Sequence, residues 1–293
     1  MVDVESTQVL IERRQIVMKK IIALLMAALL VLAFAGCAKD TTAGTEDATD
    51  EAASGAATTE AASDLEYIKN KGTLVVGITD YAPMDYKEEG SDEWTGFDAE
   101  FARAFAADLG VEIEFIEIDW DNKVFELDAK KIDCIWNGMT ITNEIMLATN
   151  VSDAYVKNAQ VVVMAADKVA DYADAASMAD LEFAVESGSA GEDAAKENNF
   201  TYTAVLTQAD ALMEVQAGTA DACIIDITMA NAMTGEGTSY ATLAKGVELT
   251  SEEYGVSFRK GSDVTAVLNQ FMVDNKAEVL DGLATKYELT LAF

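Results

Sequence analysis

The chain has 293 residues, with 20 Lys and Arg against 52 Asp and Glu, and it contains no His. A formal net charge of −32 would be repelled by a phosphate backbone, so we expect no nucleic-acid partner. The absence of His excludes histidine triads, His-ligated zinc sites and imidazole acid–base catalysis. No Cys pair and no acidic loop has the spacing of metal ligands, so we expect no metal and no other cofactor.

The N-terminal region has the pattern of an export signal. Lys19 and Lys20 precede an apolar run of 15 residues that ends at Ala35, and this run is shorter than the ~20 residues of a membrane-spanning helix. The segment from Phe34 to Cys37 resembles a bacterial lipobox. It predicts a signal peptide over residues 18–36 and lipidation of Cys37, and the alternative is a Cys that follows the signal by chance.

Two further segments flank this signal. Residues 1–17 carry acidic residues, which are unusual in the head of a signal peptide, and we interpret them as an extension from a start codon assigned too early. Residues 38–63 consist almost wholly of Ala, Thr, Ser, Gly, Asp and Glu, and such a segment cannot bury enough apolar surface to offset its chain entropy. We therefore predict that residues 37–63 are a lipidated Cys followed by a disordered tether, which would hold a folded domain away from the membrane.

From Asp64 onward, strand-like and helix-like segments alternate. Phe97, Phe101, Phe105 and Leu109 recur at four-residue spacing, which predicts a helix that Gly110 ends. Short apolar runs and alternating runs predict strands, and their succession with helices favours mostly parallel sheets flanked by helices. We predict strands over residues 73–78, 111–118, 132–136, 182–186 and 222–225, and helices over residues 123–129, 192–199 and 208–217.

The two halves of this region repeat one architecture. Residues 127–133 and 215–221 are each a helix end and a turn with Asp, and each leads into a strand that carries a Cys. Cys134 and Cys223 would therefore lie in separate lobes as buried free thiols. Extended segments at 155–165 and 253–259 would carry the chain between the lobes, out and back. We predict that lobe 1 comprises residues 64–157 and 252–293, that lobe 2 comprises residues 158–251, and that a ligand binds in the cleft between them.

A set of short motifs between residues 72 and 261 is similar to the motifs of one known family. The motifs are Gly72–Gly77, Tyr81–Met84, Gly96–Asp98, Asn137–Thr142 and Tyr254–Gly261. In this order they resemble bacterial extracellular solute-binding proteins of the polar amino acid class (solute-binding protein family 3), which serve ABC importers, and the resemblance covers residues 65–293. It implies an α/β, two-lobed periplasmic-binding-protein-like (Venus-flytrap) fold. It also implies a monomeric binder rather than an enzyme, with an ABC permease and ATPase as partners.

The resemblance implies ligand contacts at strand ends on the first lobe. Tyr81 and Trp120 would sandwich the side chain of the ligand, because aromatic rings offer rigid contact area and attract cations, and the alternative is that both rings are core residues. Trp136 lies inside a strand, and we expect it in the core. Asn137, Gly138 and Thr140 form a turn that would offer a backbone carbonyl and a hydroxyl. For Thr140 the alternative role is the N-cap of the following helix.

On the second lobe, the resemblance implies that Gly188, Ser189 and Ala190 bind the ligand's carboxylate and that Asp226 binds its ammonium. A helix N-terminus after a glycine turn presents unpaired N–H groups and a positive dipole end. The alternative for Ser189 and Asp226 is an ordinary helix cap without a ligand.

One position departs from the family. After the Thr that corresponds to Thr140, the family's usual run is Ile-Thr-Pro-Glu-Arg, and its Arg grips the ligand's α-carboxylate. This chain has Ile-Thr-Asn-Glu-Ile over residues 141–145, so Ile145 occupies the position of the Arg. Either the ligand lacks an ordinary α-carboxylate, or another group binds it. We therefore expect capture of a small zwitterionic or cationic solute, an amino acid or a relative of one. The alternatives are a sensor or adhesin module on the same fold, and an exported enzyme similar to cyclohexadienyl dehydratase.

Overall fold

Residues 63–293 are described by a computed structural model, and the predicted signal peptide, Cys37 and residues 38–62 lie outside the described range. The α-helices of this range are α1 (Asp64–Lys71), α2 (Phe97–Leu109), α3 (Lys123–Asp128), α4 (Asn143–Ala148), α5 (Ala190–Glu197), α6 (Gln208–Ala217), α7 (Ile227–Met233), α8 (Val264–Asp274) and α9 (Asp281–Lys286). Short 3-10 turns lie at Trp120–Asn122, Val169–Asp171 and Ala175–Met178, and a π turn lies at Lys276–Leu280. In this part of the chain no helix combines the length and the apolar character needed to cross a membrane.

The strands belong to two five-stranded sheets and two short ribbons. They are β1 (Thr73–Ile78), β2 (Tyr86–Lys87), β3 (Trp94–Thr95), β4 (Glu112–Glu117), β5 (Cys134–Ile135), β6 (Asn150–Val151), β7 (Val156–Asn158), β8 (Gln160–Ala165), β9 (Glu182–Glu186), β10 (Thr201–Val205), β11 (Ala222–Asp226), β12 (Leu243–Glu248), β13 (Glu252–Tyr254) and β14 (Ser257–Phe258).

The first sheet has the strand order β4-β1-β5-β14-β6. Strand β1 pairs in parallel with β4 and β5, and β14 runs antiparallel to β5 and β6. Five of the six residues of β1 are buried, because the strand lies inside the sheet with helices packed over it. The glutamates of the edge strand β4 are exposed, so the alternation in the sequence marks an edge of the sheet rather than its centre.

The second sheet has the order β10-β9-β11-β8-β12. Strand β9 pairs in parallel with β10 and β11, whereas β8 runs antiparallel to β11 and β12. Both sheets are therefore mixed, because the strands next to the connections between the lobes run against the others. The parallel strands β9 and β11 end at Glu186 and Asp226, so these two acids lie at the same edge of the sheet.

The connections between the sheets form an antiparallel ribbon of β7 and β13, in which Asn158 lies opposite Glu252. The division into lobes at residues 157/158 and 251/252, which stays a prediction, falls on this ribbon.

The core is packed by aromatic side chains that the helical and strand patterns had indicated. Trp136 is fully buried, as predicted, and its ring meets the edge of Phe101 with 4.7 Å between ring centroids. Cys134 and Cys223 are buried free thiols in separate sheets, which confirms the prediction for both. Gly110 ends α2 with φ of 75°, a left-handed conformation that glycine adopts without strain.

Candidate functional site

A cleft of about 340 Å³ is lined by residues of both sheets. Eight of the nine predicted ligand-binding residues lie in this lining, four from the first half of the fold and four from the second. They are Trp120, Asn137, Gly138 and Thr140, and Gly188, Ser189, Ala190 and Asp226. The lining has six carboxylates and two ammonium groups, which gives the cleft an excess of negative charge.

Trp120 begins the 3-10 turn that follows β4 and forms part of the cleft wall. Most of its ring packs into an apolar cluster that also contains Ile145, and only 6% of the side chain remains exposed. The ammonium group of Lys123 lies 4.8 Å from the ring centroid. Trp120 therefore packs in the core and also lines the cleft, and its contact with the side chain of a ligand stays a prediction.

The turn after β5 is fixed by hydrogen bonds to buried polar groups. The side chain of Asn137 accepts from the Thr79 amide (3.0 Å) and donates to the Thr79 hydroxyl (2.7 Å), so it joins the ends of β1 and β5. The Gly138 amide donates to Asp98 (2.6 Å), which also accepts from the Tyr155 hydroxyl (2.8 Å). Burial raises the pKa of Asp98 to about 7, and these two bonds oppose the rise.

Thr140 is not a helix cap. The N-cap of α4 is Thr142, whose hydroxyl accepts from the Ile145 amide at 3.2 Å. The Thr140 hydroxyl instead donates to Glu252 (2.9 Å), a residue of the connecting strand β13. Thr140 thus lies in the cleft and ties the turn to the connection between the sheets.

The turn before α5 brings the second sheet close to the first. Gly188 has φ of 70°, and a methyl group there would lie 2.7 Å from the Asp121 Cα, so only glycine permits this approach. Ser189 caps α5 by accepting from the Glu192 amide at 3.2 Å. The capping role and the cleft position therefore coexist, because the Ser189 side chain serves the helix while residues 188–190 line the cleft.

Asp226 is held by side-chain amides instead of capping the helix that follows it. Its carboxylate accepts from the amide groups of Gln160 (2.8 Å), Asn158 and Gln208, and it makes no cap to α7. Burial, together with the nearby charge of Glu252, raises the pKa of Asp226 to about 7. The carboxylate is thus oriented and largely desolvated at the edge of the cleft, and a cation would stabilise its charged form.

Glu186 is a second buried acid beside it. Its side chain is 3% exposed, and Oε1 has no hydrogen-bond partner among the described residues. Burial and the charge of Asp226 raise the pKa of Glu186 well above its ordinary value. Neither of these two neighbouring acids forms a salt bridge among residues 63–293, and the nearby charge of Lys123 only partly opposes the rise in the pKa of Glu186.

Residues 74–290 match the family described as bacterial extracellular solute-binding proteins, family 3. The chain belongs to the bacterial extracellular solute-binding proteins, family 3. This confirms the family that the sequence motifs resemble.

Individual relatives of this solute-binding protein support the same assignment. It is 31% identical over 212 residues to the arginine-binding extracellular protein ArtP of Bacillus subtilis (strain 168), covering 68% of this chain and 79% of the relative. A crystal structure of an ancestral amino acid-binding protein, AncCDT-1, a precursor of cyclohexadienyl dehydratase, is 31% identical with a TM-score of 0.70, covering 77% of this chain and 99% of that one.

A Streptococcus pneumoniae (Canada MDR_19A) amino acid ABC transporter substrate-binding protein, bound to L-arginine, is 28% identical with a TM-score of 0.70. The alignment covers 78% of this chain and all (100%) of that one. These likenesses confirm the predicted two-lobed α/β fold.

Tyr81 lies elsewhere than predicted in this solute-binding protein. It is 2% exposed, is not in the cleft lining, and its hydroxyl bonds to Thr228 (2.6 Å) and to the Tyr254 hydroxyl. Its ring lies under the turn at Gly138, where an added methyl group would come within 2.5 Å of Tyr81 Cε1. The structure therefore gives Tyr81 the alternative role, a core residue that supports the cleft floor and joins the two halves of the fold.

Sequence reasoning missed several polar residues of the solute-binding cleft. Lys123, Glu186 and Gln208 lie in its lining, and Glu252 accepts from Asn158 (2.6 Å) just behind it. Glu186 could have been found, because it ends a predicted strand two residues before the glycine turn. Lys123 carried no such signal, since it reads as the first residue of a helix. Across residues 63–293, no group of three or more His, Cys, Asp or Glu residues could hold a metal ion.

Proposed function

We propose that this solute-binding protein captures a cationic amino acid between its lobes and delivers it to the permease of an ABC importer. The observation that carries the proposal is the charge of the cleft lining, in which six carboxylates face two ammonium groups. Glu186 and Asp226 are buried in that lining, and a buried carboxylate is costly unless a cation pairs with it. A solute with two positive groups would compensate both acids.

The similar proteins support the same class of solute. One relative is named for binding arginine, and one similar structure contains L-arginine. A neutral or acidic amino acid would leave at least one of the two buried acids unpaired, so we place it second.

Capture would occur by hinge motion of the lobes. The proposed lobes, residues 64–157 with 252–293 and residues 158–251, meet at the ribbon of β7 and β13, and each contributes part of the cleft wall. A ligand that contacts both walls favours the closed arrangement, because those contacts exist only when the lobes approach.

The proposed setting is the outer face of the cytoplasmic membrane. The lipobox at Cys37 and the acidic tether, both outside the described residues, would anchor a monomeric binder within reach of its permease and ATPase. We also infer that the protein does not catalyse a reaction, although a precursor of cyclohexadienyl dehydratase is among the similar structures. The cleft lining has no Arg, so the group that would grip two carboxylates of such a substrate is lacking there.

Calorimetric titration with L-arginine and L-citrulline tests the charge of the solute, because citrulline replaces the guanidinium by a neutral group of similar shape. We expect L-arginine to bind at least about tenfold more tightly, and Glu186→Gln to narrow this preference. Glu182→Gln is the matched control, since Glu182 is an exposed acid at the opposite end of the same strand. Small-angle scattering should show compaction on addition of L-arginine.

Equal affinity for the two amino acids would contradict the cationic class. Identical scattering with and without L-arginine, under conditions where calorimetry shows saturation, would contradict capture by lobe closure. Turnover of prephenate by the purified protein would contradict the inference that it is not an enzyme.

A further inference from the structure

The positive groups of the cleft differ sharply in their surroundings. The side chain of Lys196 is 50% exposed and pairs with Glu192 and Asp193, each at 3.3 Å. Lys123 is 9% exposed and takes part in none of the salt bridges of residues 63–293. Burial lowers the pKa of the Lys123 ammonium, and the charges of Glu186 and Asp121 oppose this only in part. Since no carboxylate of the described residues contacts it directly, Lys123 is the cleft residue that a negatively charged group of a solute would stabilise.

Two neutral carbonyls orient the Lys123 ammonium and leave one of its donors available. Its Nζ donates to the carbonyl of Gly188 at 2.8 Å and to the carbonyl of Trp120 at 3.2 Å. An ammonium has three N–H donors; the Trp120 ring lies 4.8 Å from the group, and no third hydrogen-bond acceptor for Lys123 lies within the described range. The side chain lines the cleft, so the remaining donor is accessible to a bound molecule.

The position of Nζ places it beside a second group that favours anions. Gly188 immediately precedes Ser189, the N-cap of α5, so the ammonium lies at the start of that eight-residue helix. The first-turn N–H groups of a helix have no carbonyl partner within the helix, and they carry the positive end of its dipole. One carboxylate could therefore contact both the helix start and Lys123.

We propose that Lys123 binds the carboxylate of the solute, in place of the guanidinium that family members carry at the position of Ile145. This rests on the proposed function, since it assumes an amino acid in the cleft. Ile145 is 7% exposed and lines the same cleft, packed in the cluster that contains Trp120. The positive charge has thus moved from α4 to the start of α3, on the same wall of the cleft. Of the two possibilities that the sequence left open, the geometry points to another group that binds the carboxylate.

The test compares L-arginine with agmatine, its decarboxylated analogue, on the wild type and on Lys123→Met. We expect the wild type to prefer L-arginine. The substitution should weaken L-arginine binding about 10- to 100-fold and change agmatine binding by less than about twofold, because only L-arginine has a carboxylate to lose. Lys123→Arg should restore part of the preference. Lys123→Gln serves as a second neutral variant if Lys123→Met fails to fold, as judged by its melting temperature.

Lys131→Met is the matched control, because Lys131 is an exposed lysine that pairs with Glu126 at 2.9 Å outside the cleft lining. It should leave both affinities unchanged. If Lys123→Met weakens the binding of L-arginine and of agmatine equally, Lys123 serves only to join the two walls of the cleft. That result would overturn the proposal. The proposal would also be overturned if Lys196→Met, and not Lys123→Met, abolished the preference for L-arginine over agmatine. Binding of neither probe by the wild type would refute the cationic class itself, and the assignment of Lys123 would fall with it.

Discussion

Binding of a cationic solute should release a proton from Asp226. The pKa of this carboxyl predicts how many protons are released and how much the affinity changes with pH. The pKa of this buried carboxyl is about 7, so about one-tenth of the molecules carry the charged form at pH 6 and about nine-tenths at pH 8. A cation that requires the charged carboxylate binds only the molecules in which Asp226 is deprotonated. We therefore expect the affinity for L-arginine to fall about tenfold between pH 8 and pH 6, with close to one proton released per binding event at pH 6.

Calorimetry in buffers of different ionisation enthalpy measures both quantities. The dependence of the observed heat on the buffer gives the number of protons released, and titrations at pH 6, 7 and 8 give the affinities. Asp226→Asn should abolish most of the pH dependence along with much of the affinity. Affinity that is constant from pH 6 to pH 8, or proton uptake on binding, would refute the reasoning.

Other buried carboxyls could supply the proton, so two variants serve as controls. Asp98 also has a pKa of about 7 but lies beneath the turn at Gly138, outside the cleft lining. Asp98→Asn should therefore keep the proton release. Glu186 has a raised pKa as well and faces the cleft. Glu186→Gln should therefore retain the share of the proton release that comes from Asp226.

The same raised pKa has a stability consequence of definite sign. The pKa of Asp226 rises from 3.8 to about 7, so its contribution to stability is complete below pH ~4 and is lost as the pH rises through 7. The melting temperature without added solute should therefore fall between pH 5 and pH 8. The comparison with Asp226→Asn isolates this effect from the general repulsion of an acidic chain, because the variant should show a smaller fall.

Three substitutions test other parts of the arrangement. Gly188→Ala should prevent closure while leaving the fold intact, because its methyl group would collide with Asp121, and loss of both L-arginine binding and compaction by scattering would show this. Tyr81→Phe should weaken all cationic probes by the same factor, about 2- to 10-fold, because it removes hydroxyl bonds that join the two halves without touching the solute; a change confined to one probe would contradict this. Cys37→Ser should move the protein from the membrane fraction to the medium or periplasm, and a wild-type N-terminus without diacylglycerol by mass spectrometry would rule out the lipid anchor.

Features that depend on local sequence were predictable. The strand β1 is a short apolar run and α2 is a four-residue aromatic repeat, and both lie where their patterns place them. Glycine turns that follow strands were also visible, because Gly138 and Gly188 need a left-handed backbone that few other residues tolerate. Cleft residues that belong to such turns could therefore be named from the sequence.

Features that depend on distant pairing were not predictable. The Tyr81 hydroxyl meets Thr228, which is 147 residues away in the chain, and no local pattern indicates that contact. The amides that hold Asp226 come from Gln160 and Gln208, 66 and 18 residues away, and they converge only when β8 and β11 pair in the observed register. Lys123 is brought to the carbonyl of Gly188 only by the approach of the two lobes. Lys123 and Gln208 were missed because their partners lie on other elements that are distant in the chain.

The charges that select the solute also decide when the lobes close. Lys123 lies on one wall of the cleft and Glu186 and Asp226 on the other, and no salt bridge among residues 63–293 joins them. Closure around water alone would desolvate these charges with only the partial compensation that Lys123 and Glu186 give each other, whereas a solute with two positive groups and one carboxylate would pair with all three directly. A ligand shifts a conformational equilibrium only through its differential affinity for the two states. In this cleft that difference arises from the same pairings that discriminate between solutes, so a molecule that lacks one of the three charges should bind less tightly and also induce less closure.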